Sequence, residues 1–376
     1  MALNNDVNSL LQKYHQEHLL RFHDRNTDEQ NQQLLADINV VDFQSLCREE
    51  YFKNSDHLKS IENLEPLDAN IQQDIRQTSP ENIKKYRQLG LKEISNGKVA
   101  VLLLAGGQGT RLGSSLPKGM FDLGLASKKT LFQLQAERIY RLQEMAGKTA
   151  IIPWYIMASE HTIKSTMEFF KKHDYFGLNE KNILFFEQEN IPCFTFDGKI
   201  ILKETYKLAR SPNGNGGLYE AINKKGILND MQRRGIEHIH AYCVDNILVK
   251  VADPVFIGYC SSKNVECGAK VVEKMNPDEA VGVICKVQGR YQVVEYSELS
   301  KEISERRHSD GRLMFSAGNI CNHYFTLKFL QEKVRYEELP YHIARKKIPY
   351  VDNEGQHVQP DKPNGIKLEK FIFDVF

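Results

Sequence analysis

The sequence predicts an α/β fold with a mostly parallel central sheet and helices on both faces. Three observations carry this prediction: an apolar run at residues 98–104, further apolar runs that alternate with helical patterns, and a glycine-rich loop directly after the first run. A strand that is apolar along its whole length is typical of a parallel sheet, because helices cover both of its faces. The order strand, helix, strand, helix, strand also implies right-handed crossovers.

The elements after the first strand follow in that order. Thr130 is a candidate cap for a helix, residues 151–157 predict the second strand, Ser159 is a candidate cap for the next helix, and residues 183–186 predict the third strand. The apolar residues of the first helix recur at spacings of three and four and so share one face: Phe132, Ala136, Ile139, Leu142 and Ala146.

The period changes after residue 190. Asp197 and Gly198 stand between two apolar segments, which predicts a hairpin beside the parallel core. A second glycine-rich loop at residues 211–217 leads into a helix near Leu218, and residues 238–244 predict a strand that ends just before Asp245. Further strands of mixed direction are predicted at residues 271–273, 281–287 and 291–296.

The first 97 residues predict a helical N-terminal region that packs on the rest, which spans residues 98–376. One helical face starts there with the spacing i, i+3, i+4, i+7: Val7, Leu10, Leu11 and Tyr14. This region contains no cluster of candidate catalytic residues.

Composition excludes several classes of function. Fifty Lys and Arg residues balance 49 Asp and Glu residues, so a nucleic-acid partner is not expected. The longest apolar run is seven residues, at 99–105, whereas a membrane span needs about 20. The seven cysteines show no C-x-x-C spacing, which predicts free thiols in a reducing compartment, the cytoplasm.

The loop after the first strand carries the strongest chemical signal. A dinucleotide-binding G-x-G-x-x-G pattern fails because Leu112 occupies its last position, and a P-loop fails because Lys118 stands where a glycine is needed. What remains is a glycine-rich turn with two cations, Arg111 and Lys118. Backbone N–H groups of such a turn approach a phosphate closely, and the cations offset its charge.

Three residues of one predicted strand and its end are candidates for metal chemistry. Asp245 ends a predicted strand, where a single carboxylate suits Mg²⁺, which keeps several waters and takes one or two carboxylates. His238 and His240 lie on one face of the same strand, but without a third ligand they are predicted to be packed histidines.

The motif LAGGQGTRLG followed by PKG resembles the signature of eukaryotic UDP-N-acetylglucosamine pyrophosphorylases, also called UDP-N-acetylhexosamine pyrophosphorylases. The similarity continues through PNGNGGLYEAI, YCVDNILVKVADP, CGAKVVEK, YQVVEYSE, SAGNICNHYF and PDKPNGIKLEKFIFD. It implies a Rossmann-like nucleotidyltransferase whose catalytic domain spans residues 98–376 behind a helical N-terminal extension. It also implies uridylyl transfer from UTP to N-acetyl-α-D-glucosamine 1-phosphate with Mg²⁺.

The resemblance assigns a role to individual residues. Arg111 and Lys118 are the implied catalytic cations, and Asp245 is the implied Mg²⁺ ligand. The implied nucleotide-binding residues are Leu104, Ala105, Gly106, Gly107, Lys118, Gln188, Gly214, Asp245 and Lys367. The implied sugar-binding residues are Asn215, Glu295, Tyr296, Asn319, Phe371 and Phe373. For the two phenylalanines, a core position remains an alternative.

Other interpretations stay open at this point. One is a UDP-glucose or broader hexose-1-phosphate uridylyltransferase, and another is a non-catalytic nucleotide-binding pseudoenzyme. A homo-oligomer is a further alternative for the assembly. Family members continue beyond the position of residue 376, so the resemblance also implies that the family's small C-terminal domain is absent and that activity is impaired.

Overall fold

The structure, a computed structural model, describes residues 5–53, 64–109, 113 and 116–376. Its helices are α1 (Asn5–Lys13), α2 (Asp28–Asn39), α3 (Phe43–Leu46), α4 (Glu50–Lys53), α5 (Pro80–Ser95), α6 (Leu131–Ala146), α7 (Ile163–Lys172), α8 (Gly217–Lys224), α9 (Ile227–Arg233), α10 (Pro254–Ser262), α11 (Lys301–Ser304) and α12 (Leu327–Glu332). Its strands are β1 (Leu64–Glu65), β2 (Val99–Leu104), β3 (Trp154–Ala158), β4 (Ile183–Glu187), β5 (Asn190–Pro192), β6 (Phe194–Thr195), β7 (Leu202–Glu204), β8 (Lys207–Leu208), β9 (Arg210–Pro212), β10 (His238–Cys243), β11 (Cys267–Glu273), β12 (Val283–Val287), β13 (Arg290–Val294), β14 (Ala317–Thr326), β15 (His342–Lys346), β16 (Tyr350–Val351), β17 (His357–Val358) and β18 (Gly365–Glu369).

The chain divides into two compact units. The smaller unit contains Met1–Leu58, Glu189–Gly214 and Pro340–Phe371, and the larger contains Lys59–Gln188, Asn215–Leu339 and Ile372–Phe376. This grouping differs from a division after residue 97, because the first helices pack with two later segments of the chain while α5 packs with the larger unit.

The larger unit is built on a nine-stranded mixed sheet. Its main path is β1-β12-β14-β10-β2-β3-β4, with β11 beside β14 and β13 beside β12. Strands β10, β2, β3 and β4 are parallel, and every residue of β2 is buried. The remaining pairs are antiparallel, which confirms that the later strands make the sheet mixed in direction, as predicted.

Helices cover both faces of the parallel strands. Trp154 and Ile156 of β3 pack in one cluster with Phe132 of α6. Tyr155 lies between them and points to the opposite face, since side chains alternate along a strand. Its hydroxyl donates a hydrogen bond of 2.8 Å to Asp230 of α9. The predicted α/β class is therefore confirmed.

Of the two predicted helix caps, one is confirmed and one is wrong. Thr130 caps α6 as predicted, and its side chain accepts from the N–H of Gln133. The prediction for Ser159 is wrong, because α7 begins after Thr162 and the Ser159 hydroxyl donates instead to the Gly106 carbonyl at 2.8 Å. Strand β3 also begins three residues later than predicted, directly after Pro153, which cannot donate to a ladder.

The smaller unit has its own core. Val7 and Leu11 of α1 are buried there with residues of α2, α3 and β18, which confirms the predicted apolar face. The Asp197-Gly198 hairpin is also confirmed. Phe194 faces Ile200 across it, and Gly198 has a φ of +84°, a conformation that favours glycine. In this unit β15, β18 and β6 form a three-stranded sheet.

None of the helices among the described residues is both long enough and apolar enough to cross a membrane.

Candidate active site

The glycine-rich loop leaves β2 at the carboxyl end of the parallel strands, where open α/β sheets bind their ligands. Its two sides are tied together, because Gly109 N–H donates to the Leu116 carbonyl at 2.9 Å and Lys118 N–H donates to the Gly107 carbonyl at 3.1 Å. Arg111 lies outside the described residues, as do its neighbours in 110–112 and 114–115. The two sides of the loop therefore bring Lys118 back beside the first glycines.

The first two implied nucleotide-binding residues are part of the sheet core. Leu104 and Ala105 are 6% and 1% exposed. The N–H of Ala105 donates to the Met157 carbonyl at 2.8 Å. Because their side chains are buried, any contact with a ligand would have to come from the backbone at this strand end.

Gly106 and Gln188 lie in contact at the strand ends. A Cβ atom on Gly106 would stand 2.4 Å from Nε2 of Gln188, so a larger residue would displace this amide from its position. Gln188 is buried, and its Oε1 has no hydrogen-bond partner among the residues that the structure describes. A buried acceptor without a partner carries a desolvation cost, which a ligand that donates a hydrogen bond would remove.

Lys118 and Asp245 form an ion pair, with Nζ 2.7 Å from Oδ2. Asp245 follows β10, whose end is tied to β2 by the hydrogen bond from Val244 N–H to the Leu104 carbonyl at 3.1 Å. The Lys118 stem lies over Gly107, where a Cβ would make ordinary contacts of 3.5 to 3.8 Å. The pair is partly exposed, with side chains at 24% and 54%, so both groups can exchange partners with a charged ligand.

The nearby histidines are packed, as predicted. Nδ1 of His238 lies 2.7 Å from the Tyr324 hydroxyl, and Nε2 of His240 lies 2.6 Å from Oδ1 of Asn322. Burial lowers the pKa of His240 to about 4. Within the described ranges, no group of three or more His, Cys, Asp or Glu side chains is arranged to hold a metal ion.

The Glu295 side chain and the Asn319 backbone both lie against Gly282, a glycine that no sequence motif indicates. The Asn319 N–H donates to the Gly282 carbonyl at 2.8 Å, and a Cβ on Gly282 would lie 3.0 Å from Oε1 of Glu295. Glu295 directly follows β13, and the next residue, Tyr296, is 52% exposed. In the sequence, Gly282 stands just before an apolar strand. No local pattern around Gly282 indicates that the Glu295 carboxylate lies against this glycine.

Asn215 holds the segment that follows residue 371. Its Oδ1 accepts from the N–H of Ile372 at 2.9 Å, and the buried Tyr219 hydroxyl donates to the Ile372 carbonyl. Phe373 is 6% exposed, so this side chain lies in the core. The structure thus shows a positioning contact for Asn215 in addition to the sugar contact that the resemblance implies.

Three implied site residues belong to the smaller unit. Gly214 has a φ of +70°, and a Cβ there would stand 2.4 Å from the Lys370 carbonyl oxygen, so glycine is required. Lys367 alternates with two fully buried residues of β18 and points to the other face of that strand. Phe371 stacks on His342 with ring centroids 4.2 Å apart.

Comparison with known proteins agrees with this architecture. Residues 43–374 match the family model described as UTP–glucose-1-phosphate uridylyltransferase. The human UDP-N-acetylhexosamine pyrophosphorylase-like protein 1 is 50% identical over 390 residues, covering 100% of this chain and 77% of the relative. The UDP-N-acetylglucosamine pyrophosphorylase of Saccharomyces cerevisiae is 50% identical over 297 residues, covering 78% of this chain and 62% of the relative.

A solved structure extends the match to three dimensions. The uridine diphosphate N-acetylglucosamine pyrophosphorylase of Trypanosoma brucei, solved in complex with an inhibitor, is 32% identical and has a TM-score of 0.81. The match covers 100% of this chain and 76% of that one. The chain belongs to the uridylyltransferase family and, within it, to the UDP-N-acetylhexosamine pyrophosphorylases.

Proposed function

We propose that the protein transfers a uridylyl group from UTP to N-acetyl-α-D-glucosamine 1-phosphate, giving UDP-N-acetylglucosamine and pyrophosphate. Family membership and the 50% identity to the yeast UDP-N-acetylglucosamine pyrophosphorylase support this reaction. In the reaction an oxygen of the sugar phosphate attacks the α-phosphorus of UTP in line, and pyrophosphate leaves. Such a transfer depends on positioning and charge neutralisation rather than on acid–base chemistry.

The observation that carries the proposal is the buried amide of Gln188 beside Gly106. Uracil presents one N–H donor between two carbonyl acceptors, and a side-chain amide both accepts and donates. The unpartnered Oε1 of Gln188 would accept from that N–H. Cytosine lacks the N–H at this position, so it would leave the buried acceptor without a partner, and a purine would need a larger space.

Lys118 and Asp245 are the proposed phosphate-site residues. When UTP binds, the Lys118 ammonium would move from the Asp245 carboxylate to phosphate oxygens, where its charge stabilises the transition state. Arg111 is proposed as the second cation on the grounds of the resemblance alone.

We also propose a requirement for Mg²⁺. One partly exposed carboxylate, that of Asp245, fits an ion that phosphates and water hold for the most part. When bound, Mg²⁺ would neutralise charge on the phosphates of UTP. Asp245 would hold it after Lys118 has turned to the phosphates, which gives the two members of the ion pair separate tasks.

Glu295 and Asn319 are proposed to bind the sugar. A carboxylate accepts hydrogen bonds from neighbouring hydroxyls, and an amide pairs with an acetamido group. The missing Cβ of Gly282 leaves space for the Glu295 carboxylate, and the backbone of Asn319 is bonded to the same glycine. A cytoplasmic location is proposed as well, because all seven cysteines, which lie among the described residues, are free thiols.

One assay tests the reaction and both selectivities. Purified protein with Mg²⁺ is given UTP, CTP or ATP together with N-acetylglucosamine 1-phosphate or glucose 1-phosphate, and pyrophosphate release is measured. We expect the highest rate with UTP and N-acetylglucosamine 1-phosphate, and loss of the rate on chelation with EDTA. Equal rates with ATP would contradict the proposed base site, and a clear preference for glucose 1-phosphate would contradict the proposed acceptor.

A further inference from the structure

Two cysteines lie against each other beside the proposed phosphate site. Cys243 is the last residue of β10 and Cys321 lies in β14, and their Sγ atoms are 3.0 Å apart. These strands run antiparallel, and the final pair in their register is Tyr242 with Asn322. Both cysteines are half-buried free thiols. A disulfide has an S–S distance of about 2.05 Å, so the two sulfurs need to approach by only about 1 Å.

Cys321 lies in a β-bulge of β14, directly before the first residue of β14 that pairs with β10. In the pairing of β11 with β14, Ala269 lies opposite His323 and Val271 lies opposite Asn319. Residues 320–322 of β14 therefore face the single residue 270 of β11. Cys321 has a φ of +49°, in the left-handed region that side-chain-bearing residues avoid. A bulge redirects a side chain that a regular strand would place elsewhere. The register of β10 and β14 therefore places the two thiols side by side, and the backbone at Cys321 is irregular at that point.

We propose that Cys243 and Cys321 are a redox modification site that forms a reversible disulfide and lowers the activity of the protein. The oxidant is a low-molecular-weight disulfide such as oxidised glutathione. The Cys243 thiolate attacks one glutathione sulfur, which forms a mixed disulfide and releases one reduced glutathione. The Cys321 thiol then loses its proton and attacks the Cys243 sulfur, which forms the internal S–S bond and releases the second reduced glutathione. Two cysteine thiols are oxidised while one glutathione disulfide is reduced to two thiols.

The environment supports this order of events. The hydrogen bond with Cys243, together with burial and the nearby charge of Asp245, raises the pKa of Cys321 well above its ordinary value. A thiol that keeps its proton is a poor first nucleophile. Cys321 therefore suits the second step, in which the mixed disulfide is already held beside it.

The disulfide would act on both the proposed phosphate-site residues and the proposed sugar-binding residues. Asp245 follows Cys243 by two residues, and Asn319 precedes Cys321 by two. The Cys321 N–H donates to Oδ1 of Asn319 at 3.2 Å, and the Asn246 side chain donates to the Ile320 carbonyl at 3.5 Å. Drawing the sulfurs together would displace these contacts. The effect on catalysis rests on the proposed function, whereas the formation of the disulfide does not.

The test treats the reduced, purified protein with oxidised glutathione and measures two quantities. Non-reducing digestion with mass spectrometry detects the peptide pair linked through Cys243 and Cys321, and pyrophosphate release gives the rate. We expect the linked pair to form, the rate to fall at least tenfold, and dithiothreitol to restore it to within twofold. Cys243→Ser, which lacks the first nucleophile, should keep its rate to within twofold under the same oxidant, whereas Cys321→Ser should stop at the mixed disulfide between Cys243 and glutathione. Cys47→Ser, which removes another half-buried thiol, should respond like the unchanged protein.

The outcomes separate the two proposals. Absence of the linked pair under full oxidation, or an equal loss of rate in Cys243→Ser, would overturn the redox site. A linked pair with an unchanged rate would overturn the control of activity. If the linked pair forms in a protein that has no rate before oxidation, the site is supported and the proposed function is contradicted. Cys243→Ala serves as the second variant if Cys243→Ser does not fold, and the same resistance to oxidation is expected of it.

Discussion

At the scale of single residues, the Lys118–Asp245 pair has a small role in stability and a large proposed role in catalysis. The Nζ–Oδ2 distance is 2.7 Å, but the Asp245 side chain is 54% exposed. Exposed ion pairs contribute about 0 to 1 kcal/mol to folding, because water and salt screen them. The same two charges in contact with a triphosphate would act where charge develops in the transition state.

We therefore predict that Lys118→Ala lowers kcat by about 100-fold, which corresponds to about 2.7 kcal/mol of activation free energy. The melting temperature should stay nearly unchanged. Lys98→Ala is the matched control, because Lys98 pairs with Glu237 at 2.8 Å at the opposite end of the strands β2 and β10. Normal turnover of Lys118→Ala would show that the loop has another role.

The Gln188 amide leads to a second prediction at this scale. Gln188→Leu keeps the size of the side chain but removes the buried acceptor, so discrimination between UTP and CTP should fall by at least tenfold in kcat/KM. Gly106→Ala should raise the KM for UTP, since its Cβ would displace the same amide. Parallel kinetics with UTP and CTP measure both effects. Gln232→Leu, at an exposed position of α9, is the control, and unchanged selectivity in Gln188→Leu would argue against a base contact.

At the scale of elements, close backbone packing joins α5 and α10 in the larger unit. A Cβ on Gly90 would lie 2.0 Å from the Pro254 carbonyl oxygen, and a Cβ on Gly258 would lie 1.9 Å from the Tyr86 carbonyl oxygen. These neighbours are backbone atoms, which cannot rotate away as a flexible side chain could. The two helices approach each other at positions where each presents a glycine.

Gly258→Ala should therefore destabilise the protein, although alanine is the better helix former. Overpacking should lower the free energy of unfolding by about 1 to 3 kcal/mol. The better helix propensity of alanine should raise it by about 1 kcal/mol. Urea unfolding followed by circular dichroism measures the difference. Ser262→Ala, at an exposed position of the same helix, should change the free energy of unfolding by less than about 0.5 kcal/mol, as substitutions at surface sites usually do. An equal effect of both substitutions would contradict close packing at Gly258.

At the scale of the whole molecule, buried histidines make stability depend on pH. Burial lowers the pKa of His240 to about 4 and that of His323 to about 3. Both ring nitrogens of His323 are without a hydrogen-bond partner among the described residues. The unfolded chain binds these protons near pH 6.5, while the folded protein does not. Stability is therefore fully present above pH 6.5 and falls as the pH decreases towards the folded-state values.

We predict that each of these two histidines costs about 2 kcal/mol of stability at pH 5 relative to pH 7.5. Urea unfolding at the two pH values measures the total loss, to which the lowered pKa values of His18 and His238 also contribute, and His323→Leu should reduce that loss by about 2 kcal/mol. His161→Gln, at an exposed position, should leave the pH dependence unchanged. An unaltered acid response in His323→Leu would show that this ring is not buried in its neutral form.

The sequence by itself determined the parallel strands and the place of the glycine-rich loop. The apolar run of β2 and the face of α6 from Phe132 to Leu142 are local patterns, and burial on both sides of a strand imposes them directly. It also indicated Lys118 and Asp245, because the carboxyl ends of parallel strands lie at one edge of a sheet, whereas Gln188 was implied by the family resemblance. The signal at Ser159 failed, since a hydroxyl can serve a distant carbonyl as well as a helix end.

Only the tertiary structure decided which side chains meet. Gly106 with Gln188, Gly282 with Glu295, and Cys243 with Cys321 are each separated along the chain, and their contacts depend on strand register and on the bulge in β14. Register is set by the burial of all strands together, and no short window of sequence contains that information. A glycine at the end of a strand is compatible with many turns. The atom that would collide with a Cβ added at that position becomes known only once the chain has folded.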